Sequence, residues 1–387
     1  MNDSKKNKRD RITYVINNVG FFVSHRLPLA LEAIDRGYKV NLITGLPGSE
    51  SIEEKALETL KKYPIPHISV PFTSRGMNPF KEVKALLLLI NTLRNVEPDI
   101  IHAASPKGIF YAAISRIFTN ADKLVLSVSG MGFLFTSPKS VLAKFIAKMY
   151  KTVMIALINL QRTSIIVQNK DDFAFWSKLI YAKKTSIYLV PGSGVKLKHF
   201  LNANRKDDSR IILLPARLLI DKGVYEFVDA AKTVKKKYPE WIFVLVGAAD
   251  YDNPSSIDQK TINQWVEDRI IDWWGHQDDM AQVYRKTAIV CLPSYREGMP
   301  KVLLEASASG LPVITTDVIG CREAITPGIS GLLVASHDSK ELAAAIIKLI
   351  ENSELRKKMG EEGIKLAKEK FSIEKVIASI HQIYEYD

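Results

Sequence analysis

The sequence predicts an α/β protein built from two doubly wound, parallel-sheet, Rossmann-like domains that face each other across a cleft. Apolar runs of strand length alternate with helical patterns along nearly all of the 387 residues, as in parallel strands joined by crossover helices. A chain of this length exceeds one ordinary hydrophobic core. A polar, charged break at 196–210 separates two sets of units. We therefore expect domains at 1–195 and 196–371, and a last segment, 372–387, that could pack on either domain, including a return to the first.

The expected elements follow the apolar runs in chain order. Strands in the first half are expected at 12–17, 39–44, 67–70, 100–104, 123–128, 164–168 and 187–190, and in the second half at 211–216, 241–247, 288–292, 313–316 and 331–334. Helical patterns lie between them, for example at 27–36 and 81–96, and a capped final helix is expected at 372–384. Ligands of such sheets bind beyond the carboxyl ends of the strands.

Composition is that of a globular protein, with 47% hydrophobic and 25% charged residues and a mean hydropathy near zero. No run reaches about 18 apolar residues, so we expect no transmembrane helix. The polar start and the strand-like run after it do not resemble a signal peptide, and we expect a cytosolic protein. Cys291 and Cys321 have no metal-ligand spacing, which favours reduced thiols without a disulfide.

The net charge of +12 is unevenly distributed. Between Asp99 and Asp171 the only acidic residue is Asp122. The same stretch carries Lys107, Arg116, Lys123, Lys139, Lys144, Lys148, Lys151, Arg162 and Lys170. Such a patch could face nucleic acid, anionic lipid or a diphosphate-bearing substrate. Basic residues are not interleaved with aromatics, and neither a helix-turn-helix nor a finger spacing is found, so we expect no nucleic-acid partner.

Lys144, Lys148 and Lys151 share one face of a helical pattern at 138–162, and apolar residues lie towards the other face. A basic amphipathic helix without acidic residues can lie in an anionic membrane interface. An ordinary packed helix with a hydrated lysine face is the alternative.

The richest motif is Ser294-Tyr295-Arg296-Glu297-Gly298-Met299-Pro300-Lys301-Val302-Leu303-Leu304-Glu305-Ala306. It follows an apolar run and leads into a helical pattern, so Glu297 lies in the loop and Glu305 two turns into the helix. A helix N-terminus presents unpaired N–H groups to an anion such as phosphate, and a carboxylate nearby can accept hydrogen bonds from sugar hydroxyls. The motif therefore indicates a nucleotide-sugar pocket.

A second motif opens the C-terminal half. In Leu214-Pro215-Ala216-Arg217-Leu218-Leu219-Ile220-Asp221-Lys222-Gly223, Arg217 follows a strand and Lys222 starts the next helix. A planar guanidinium and a point charge at this spacing suit a diphosphate. Solvated surface cations are the alternative. Because these cations and both glutamates follow predicted parallel strands of one domain, we favour the diphosphate site.

These residues resemble the retaining glycosyltransferases of family four, which have the GT-B fold. Arg217 and Lys222 followed by Glu297-x7-Glu305 carry the family resemblance. Further runs are similar to the bacterial branch that builds capsule and O-antigen units: Phe22-Val23-Ser24-His25-Arg26-Leu27-Pro28-Leu29-Ala30, Asn78-Pro79, Pro98-Asp99-Ile100-Ile101-His102 and Ser105-Pro106-Lys107. The resemblance covers nearly the whole chain from Arg11 onward.

The resemblance implies roles for individual residues. Arg217 and Lys222 would hold the donor diphosphate, Glu297 would orient the transferred sugar, and Glu305 would bind the ribose hydroxyls. The phosphate cradle would include Gly298, Met299, Pro300, Lys301 and Val302, and the donor site would extend to Gly247, Trp274 and Gly275. The N-terminal domain would bind the acceptor through Gly20, His25, Arg26, Ser129 and Met131. His102 would be the catalytic candidate of that domain, with a structural role as the alternative.

The chain departs from the family at several positions. Ser129 stands where relatives often have a histidine, His102-Ala103-Ala104 replaces a His-x-His pattern, and the loop 17–20 has one glycine where many relatives have two. Asp250-Tyr251-Asp252 could ligate a metal under a diphosphate, but its polar loop favours a solvated turn. We expect no metal and no other cofactor.

The resemblance implies transfer of a sugar, an N-acetylhexosamine or a derivative, from a UDP-sugar to a polyprenyl-diphosphate-linked saccharide. The partners would be the UDP-sugar, the lipid-linked acceptor and an anionic membrane surface, and the enzyme would lie peripherally on the cytoplasmic face of the inner membrane. A non-hydrolysing UDP-sugar epimerase, which has the same architecture, is the alternative. A dinucleotide dehydrogenase is disfavoured because no Gly-x-Gly-x-x-Gly follows the first strand.

Overall fold

The computed structural model describes residues 10–46, 50–73, 78–129, 141–201, 208–250 and 253–385, without the side chains of 50–52 and 141–147. The chain forms two compact units. The first comprises Met1–Val190 with Ile377–Asp387, and the second comprises Pro191–Val376. Each unit contains one parallel sheet, so the predicted fold class of two parallel-sheet α/β domains is confirmed.

The first unit has a seven-stranded sheet in the order β3-β2-β1-β4-β5-β6-β7. The strands are β1 Arg11–Ile16, β2 Lys39–Thr44, β3 His67–Ser69, β4 Ile100–Ala104, β5 Lys123–Val128, β6 Thr163–Val167 and β7 Thr185–Leu189. The helices of this unit are α1 Val19–His25, α2 Leu27–Asp35, α3 Glu50–Leu60, α4 Pro79–Val96, α5 Pro106–Arg116, α6 Val141–Leu160 and α7 Lys170–Ser177. Strand order reverses between β1 and β4, which pair with Tyr14 opposite His102.

The second unit has a six-stranded sheet in the order β10-β9-β8-β11-β12-β13. Its strands are β8 Ile211–Pro215, β9 Ile242–Val246, β10 Asp272–Trp273, β11 Ile289–Leu292, β12 Val313–Thr316 and β13 Gly331–Val334. Its helices are α8 Leu197–Leu201, α9 Val224–Lys235, α10 Gln259–Glu267, α11 Met280–Arg285, α12 Lys301–Ala308, α13 Ser339–Glu351 and α14 Ser353–Leu366, with 3-10 turns at Ile220–Lys222 and Arg322–Ala324 and a π-helical turn at Ala367–Phe371.

Apolar strand residues pack on both faces of the second sheet. Ile212 joins Phe227 of α9 in one core cluster, and its neighbour Leu213 joins Leu303 of α12 in the other. Successive side chains of a strand point to opposite faces. A parallel sheet covered on both faces therefore needs continuous apolar runs, which explains the sequence pattern of its strands.

The last helix, α15 Ile373–Glu385, starts in the second unit and ends in the first. Ser372 caps it, since its Oγ accepts a hydrogen bond from the Lys375 N–H at 3.3 Å. At its far end the buried Tyr384 hydroxyl lies 3.1 Å from the Tyr14 hydroxyl of β1. The carboxyl-terminal residues thus complete the core of the first unit.

Candidate active site

The carboxyl edge of the second sheet brings together the loops that follow β8 and β11. These strands are neighbours, and β9 lies on the other side of β8, so the strand order reverses between β8 and β11. Open α/β sheets bind ligands at such a switch point. Arg217 and Lys222 follow β8, and Glu297 follows β11. The residues of the two sequence motifs therefore lie at the sheet edge where open α/β folds bind ligands.

Lys222 and Glu297 form an ion pair at this edge. Lys222 Nζ lies 2.6 Å from Glu297 Oε1, and each side chain is 15% exposed. The Ser294 hydroxyl donates to the same oxygen at 2.9 Å. Both of these hydrogen bonds are therefore made to Oε1 of Glu297 rather than to Oε2. The arrangement fixes a cation and a carboxylate side by side, partly shielded from water.

Backbone contacts hold the loop that carries Glu297. The Glu297 N–H donates to the Ile319 carbonyl at 3.2 Å, and the Thr316 hydroxyl donates to the Ser294 carbonyl. Gly320, with φ +81°, lies so close to the carbonyls of Glu297 and Gly298 that a Cβ would collide with both. Glycine is therefore required at position 320, because it adopts a positive φ without strain and has no Cβ to collide with these carbonyls.

Tyr295 ties the same loop to helix α9. Its N–H donates to the Asp221 carbonyl at 2.9 Å, and its hydroxyl donates to Glu226 Oε1 at 2.8 Å. The His337 ring packs on the Tyr295 ring, with centroids 3.7 Å apart, and its Nδ1 lies 3.6 Å from Glu226 Oε1. We call Glu226, Tyr295 and His337 the Tyr295 latch. Sequence reasoning missed it, because its three members come from three separate segments.

Helix α12 begins directly behind the loop. Its N-cap is Pro300, which has no side-chain acceptor and therefore cannot cap the first turn. Met299 is buried beneath it. A helix start without a side-chain cap is suited to an anionic ligand. The phosphate cradle at 298–302 stays a prediction.

Glu305 lies one turn into α12 and is 7% exposed. Oε1 lies 3.4 Å from Lys301 Nζ, and Oε2 accepts a hydrogen bond from the Tyr284 hydroxyl at 3.4 Å. Burial raises the pKa of Glu305, and the Lys301 charge opposes that rise. Both contacts are long, so the carboxylate is loosely held.

Arg217 does not contact Lys222 or Glu297 in this structure. Its Nη1 lies 3.0 Å from Asp250 Oδ2, and its side chain is 59% exposed. The Asp250 carboxylate thus faces a guanidinium. The other two residues of the Asp250-Tyr251-Asp252 motif lie outside the described residues.

Gly247, Trp274 and Gly275 meet at the end of β9. The Gly247 N–H donates to the Gly275 carbonyl at 2.8 Å, and Trp273 Nε1 donates to the Gly247 carbonyl at 3.0 Å. Lys286 Nζ lies 6.0 Å from the centre of the Trp274 ring. A Cβ at Gly275 would meet open space. These contacts form a platform at the same sheet edge as Arg217.

In the first unit the predicted acceptor loop is occupied by an internal carboxylate. Glu53 of α3 accepts hydrogen bonds from the N–H groups of Val19 at 2.7 Å and Gly20 at 3.1 Å. Asn18 caps helix α1, which begins at Val19, by accepting a hydrogen bond from the Phe21 N–H at 2.8 Å. The N–H of Gly20 is therefore committed within the protein, which argues against a phosphate at this helix start.

His102 is a core residue in this structure. Its ring is fully buried, Nδ1 lies 2.6 Å from the Tyr384 hydroxyl, and Nε2 lies 2.7 Å from the Ser127 hydroxyl. Burial lowers its pKa well below the ordinary value, so the ring is neutral. A buried ring with both nitrogens engaged cannot reach a substrate, and the geometry supports the structural alternative over the catalytic role.

Other predicted acceptor residues differ in accessibility. Arg26 is 3% exposed, and burial lowers its pKa, so it does not present its charge to solvent. His25 stacks on Phe21, with ring centroids 4.5 Å apart, and its Nδ1 lies 2.6 Å from the Ser24 hydroxyl. Ser129 is exposed, and Met131 lies outside the described residues.

The predicted membrane lysines are only partly described. The Lys144 side chain lies outside the described residues, and Lys148 is exposed. Lys151 is partly buried, with Nζ 5.3 Å from the centre of the Phe175 ring. Across the described ranges, no helix has the length and apolar character needed to cross a bilayer. Within the same ranges, no group of three or more His, Cys, Asp or Glu side chains has a metal-binding arrangement.

Comparison with known proteins identifies the family. Residues 11–169 match the family model described as glycosyl transferase 4-like, and residues 196–366 match the model of glycosyl transferases group 1. The chain combines a glycosyl transferase 4-like domain with a group 1 glycosyl transferase domain. The predicted family and enzyme class are therefore confirmed, and these matches give no support to the epimerase alternative.

Two curated relatives and one solved structure place this glycosyltransferase among similar proteins. N,N'-diacetylbacillosaminyl-diphospho-undecaprenol alpha-1,3-N-acetylgalactosaminyltransferase of Campylobacter jejuni is 26% identical over 358 residues, which cover 88% of this chain and 90% of the relative. UDP-Gal:alpha-D-GlcNAc-diphosphoundecaprenol alpha-1,3-galactosyltransferase of Escherichia coli is 26% identical over 299 residues, which cover 74% and 75%. Anabaena HepE in complex with UDP and glucose has a TM-score of 0.75 at 18% identity, with 97% of this chain and 99% of that chain covered.

Proposed function

We propose that this glycosyltransferase moves a sugar, an N-acetylhexosamine or a derivative, from a UDP-sugar to a polyprenyl-diphosphate-linked saccharide, with retention of anomeric configuration. The product would be an intermediate of a bacterial surface polysaccharide such as capsule or O-antigen. The enzyme would act as a peripheral protein on the cytoplasmic face of the inner membrane, where such an acceptor is presented.

The observation that carries this proposal is the Lys222–Glu297 pair at the sheet edge in front of α12. The contact of 2.6 Å between two side chains that are each 15% exposed supports the proposal, because the lysine would neutralise a departing diphosphate and the carboxylate would accept hydrogen bonds from sugar hydroxyls. Charge stabilisation of this preorganised kind is the largest catalytic contribution in many enzymes.

The transfer step requires little from side-chain bases. The bond between the anomeric carbon and the UDP oxygen breaks, and its electron pair stays on the diphosphate. The acceptor hydroxyl attacks from the same face, and its proton passes to the departing phosphate. Lys222, Arg217 and the N–H groups at the start of α12 would stabilise the negative charge that develops. Arg217 would exchange Asp250 for the diphosphate when the donor binds.

The rest of the donor fits the neighbouring residues. Glu305 would accept hydrogen bonds from the ribose hydroxyls, replacing its long contact with Tyr284. The platform at Gly247, Trp274 and Gly275 would receive the uracil. Oε2 of Glu297 would receive a hydroxyl of the transferred sugar.

The acceptor class rests on the curated relatives. The names of both relatives describe transfer to a saccharide linked to undecaprenyl diphosphate, and the Escherichia coli name specifies UDP-galactose as donor. Both alignments cover about three quarters of the chain or more. This breadth supports the same acceptor class here.

A panel of UDP-sugars tests the proposal. Each is incubated with the protein and a lipid-linked acceptor extract, and UDP release is measured. We expect one UDP-sugar to release UDP only when the acceptor is present. A new UDP-sugar formed from donor alone would instead establish the epimerase, and no turnover with any donor would contradict the proposal.

We further propose that the enzyme requires no divalent metal, because Lys222 and Arg217 would supply the charge that a metal supplies elsewhere. Turnover should be the same after treatment with EDTA. If EDTA abolished activity and manganese restored it, the charges of Lys222 and Arg217 would not be sufficient for catalysis, and the proposal of metal independence would fail.

A further inference from the structure

Helix α4 of the first unit exposes a row of apolar side chains. Phe80 is 88% exposed, Val83 57% and Leu87 61%. The spacing of three and four residues places them in one stripe along the helix. Single exposed apolar residues are common, but a stripe of this kind on one helix marks an interaction surface.

The charges beside this stripe are positive. Lys81 and Lys84 are exposed next to it. The acid of the first turn, Glu82, faces away from the stripe, with its carboxylate 2.9 Å from Lys107 Nζ and hydrogen-bonded by the Tyr111 hydroxyl of α5. These contacts hold α4 against α5, so the apolar and basic residues remain on the outer side.

The lysines oppose the local helix dipole. Asn78 caps α4 by accepting from the N–H groups of Phe80 and Lys81 at 3.1 and 3.3 Å. Lys81 therefore lies in the first turn, where a cation is unfavourable for the helix itself. An anionic partner outside the protein would offset this cost.

The start of α4 also lies at the ligand-binding end of the unit. In a parallel sheet the crossover helices run antiparallel to the strands, so their N-termini lie near the carboxyl edge of the sheet. The stripe begins at the second residue of α4 and is therefore near the edge where this unit would receive a substrate.

We propose that the outer face of α4, formed by Phe80, Lys81, Val83, Lys84 and Leu87, inserts into the headgroup region of an anionic bilayer. We call these five residues the α4 face. An apolar stripe flanked by lysines is the arrangement of interfacial helices. The proposal rests on the proposed function, in which the acceptor is anchored in a membrane. It assigns the contact to α4, and the Lys144, Lys148 and Lys151 face of α6 stays a separate prediction.

Vesicle binding by the full-length protein tests the α4 face. Vesicles of phosphatidylcholine with phosphatidylglycerol are sedimented with wild type, with Phe80→Ser and with the double variant Lys81→Glu/Lys84→Glu. We expect binding to fall about tenfold or more for Phe80→Ser and about thirtyfold or more for the double variant. Lys183→Glu/Lys184→Glu changes the net charge equally at another exposed site of the same unit and should bind nearly as wild type.

Two readouts exclude trivial explanations. The thermal unfolding midpoint of Phe80→Ser should match wild type, since the side chain is exposed, and that of Lys81→Glu/Lys84→Glu should match or slightly exceed it, since a glutamate in the first turn suits the helix dipole. The environment of position 80 is followed directly with a Phe80→Cys variant that carries an environment-sensitive fluorophore, because Cys291 and Cys321 are both buried. Its emission should shift to the blue with anionic vesicles, whereas a label on Tyr181→Cys should not respond.

The outcomes separate the inference from the proposed function. Equal vesicle binding by wild type and the α4 variants would overturn the inference. It would also be overturned if the protein formed a dimer that Phe80→Ser dissociates while vesicle binding stays the same, because the α4 face would then be a protein interface. With a short-chain, water-soluble acceptor the variants should retain wild-type turnover, and with a long-chain acceptor in vesicles they should lose it. Absence of transfer by wild type to either acceptor would refute the proposed function instead.

Discussion

Lys222 and Glu297 contact each other within the protein, and this pairing is the basis of the proposed chemistry. In water such a pair would contribute little. Here each side chain is mostly shielded, and the Ser294 hydroxyl donates to the same carboxylate oxygen as Lys222. A donor diphosphate would therefore meet a fixed cation rather than a mobile one.

Replacing Arg217 tests the diphosphate site. Arg217→Ala should lower kcat about a hundredfold or more, because loss of one contact to developing charge in an active site costs about 2.7–4 kcal/mol. Steady-state kinetics with the accepted UDP-sugar measures the change. The control is Arg210→Ala, which removes an exposed arginine that precedes strand β8, at the sheet edge opposite Arg217. This variant should have nearly the kcat of wild type. Near-normal turnover of Arg217→Ala would refute the assignment.

Glu305 should impose a pH dependence on donor binding. Burial raises its pKa, so its protonated fraction grows as pH falls from neutrality, and a protonated carboxyl accepts ribose hydroxyls less well. We expect KM for the donor to rise with acidification, and Glu305→Gln to have a high KM with a flatter pH profile. Identical pH profiles of KM for wild type and Glu305→Gln would disconnect this residue from the donor.

The sequence predicts which site residues follow strands, but it does not predict the partners that form hydrogen bonds or ion pairs with them. Arg217, Lys222 and Glu297 could be predicted because order along the chain places them at strand ends. The partners could not, since Glu226 lies 69 residues from Tyr295 and Asp250 lies 33 residues from Arg217. The burial of His102 could not be predicted for the same reason, since its hydroxyl partner Tyr384 is 282 residues away.

At the scale of elements, the Tyr295 latch connects helix α9 to the loop that carries Glu297. The loop has few apolar anchors of its own, so its position depends on these contacts and on Gly320. The apolar periodicity predicts the other strands and the helices at 27–36 and 81–96, but not the order of the strands within each sheet. It does not predict the two-residue strand β10, because so short a segment has no measurable alternation.

Removal of the latch hydrogen bond should impair the loop without unfolding the protein. Tyr295→Phe keeps the ring contact with His337 but loses the hydroxyl bond to Glu226, so we expect kcat to fall several-fold with little change in Tm. Tyr225→Phe is the matched control, since Tyr225 precedes Glu226 on α9 and its ring packs on Trp265 with centroids 5.4 Å apart. If both variants have the same kcat, the latch does not position Glu297.

At the scale of the whole molecule, the last helix returns to the core of the first unit through buried polar groups. The capping residue and the helical spacing of apolar residues predict the final helix. They do not predict which domain it packs on, because an apolar helix face does not reveal which hydrophobic core it joins. The structure places Tyr384 beside Tyr14 and His102, and the fully buried His381 beside Tyr384.

These buried histidines predict acid sensitivity. Burial lowers the pKa of His381 to about 4 and that of His102 well below its ordinary value. The unfolded chain, with histidine pKa of about 6.5, therefore binds more protons below that pH, and the free energy of unfolding falls as pH drops. Urea unfolding at neutral pH and near pH 5 measures this slope. His381→Phe should reduce it, whereas a substitution of the half-exposed His276 should not; an unchanged slope in His381→Phe would contradict the prediction.

The most direct test of the central claim is a crystal structure of the protein with UDP. We expect the diphosphate within hydrogen-bonding distance of Lys222 and Arg217, in front of helix α12, with the ribose on Glu305 and Arg217 released from Asp250. A nucleotide bound elsewhere, with the Lys222–Glu297 and Arg217–Asp250 pairs intact, would contradict it.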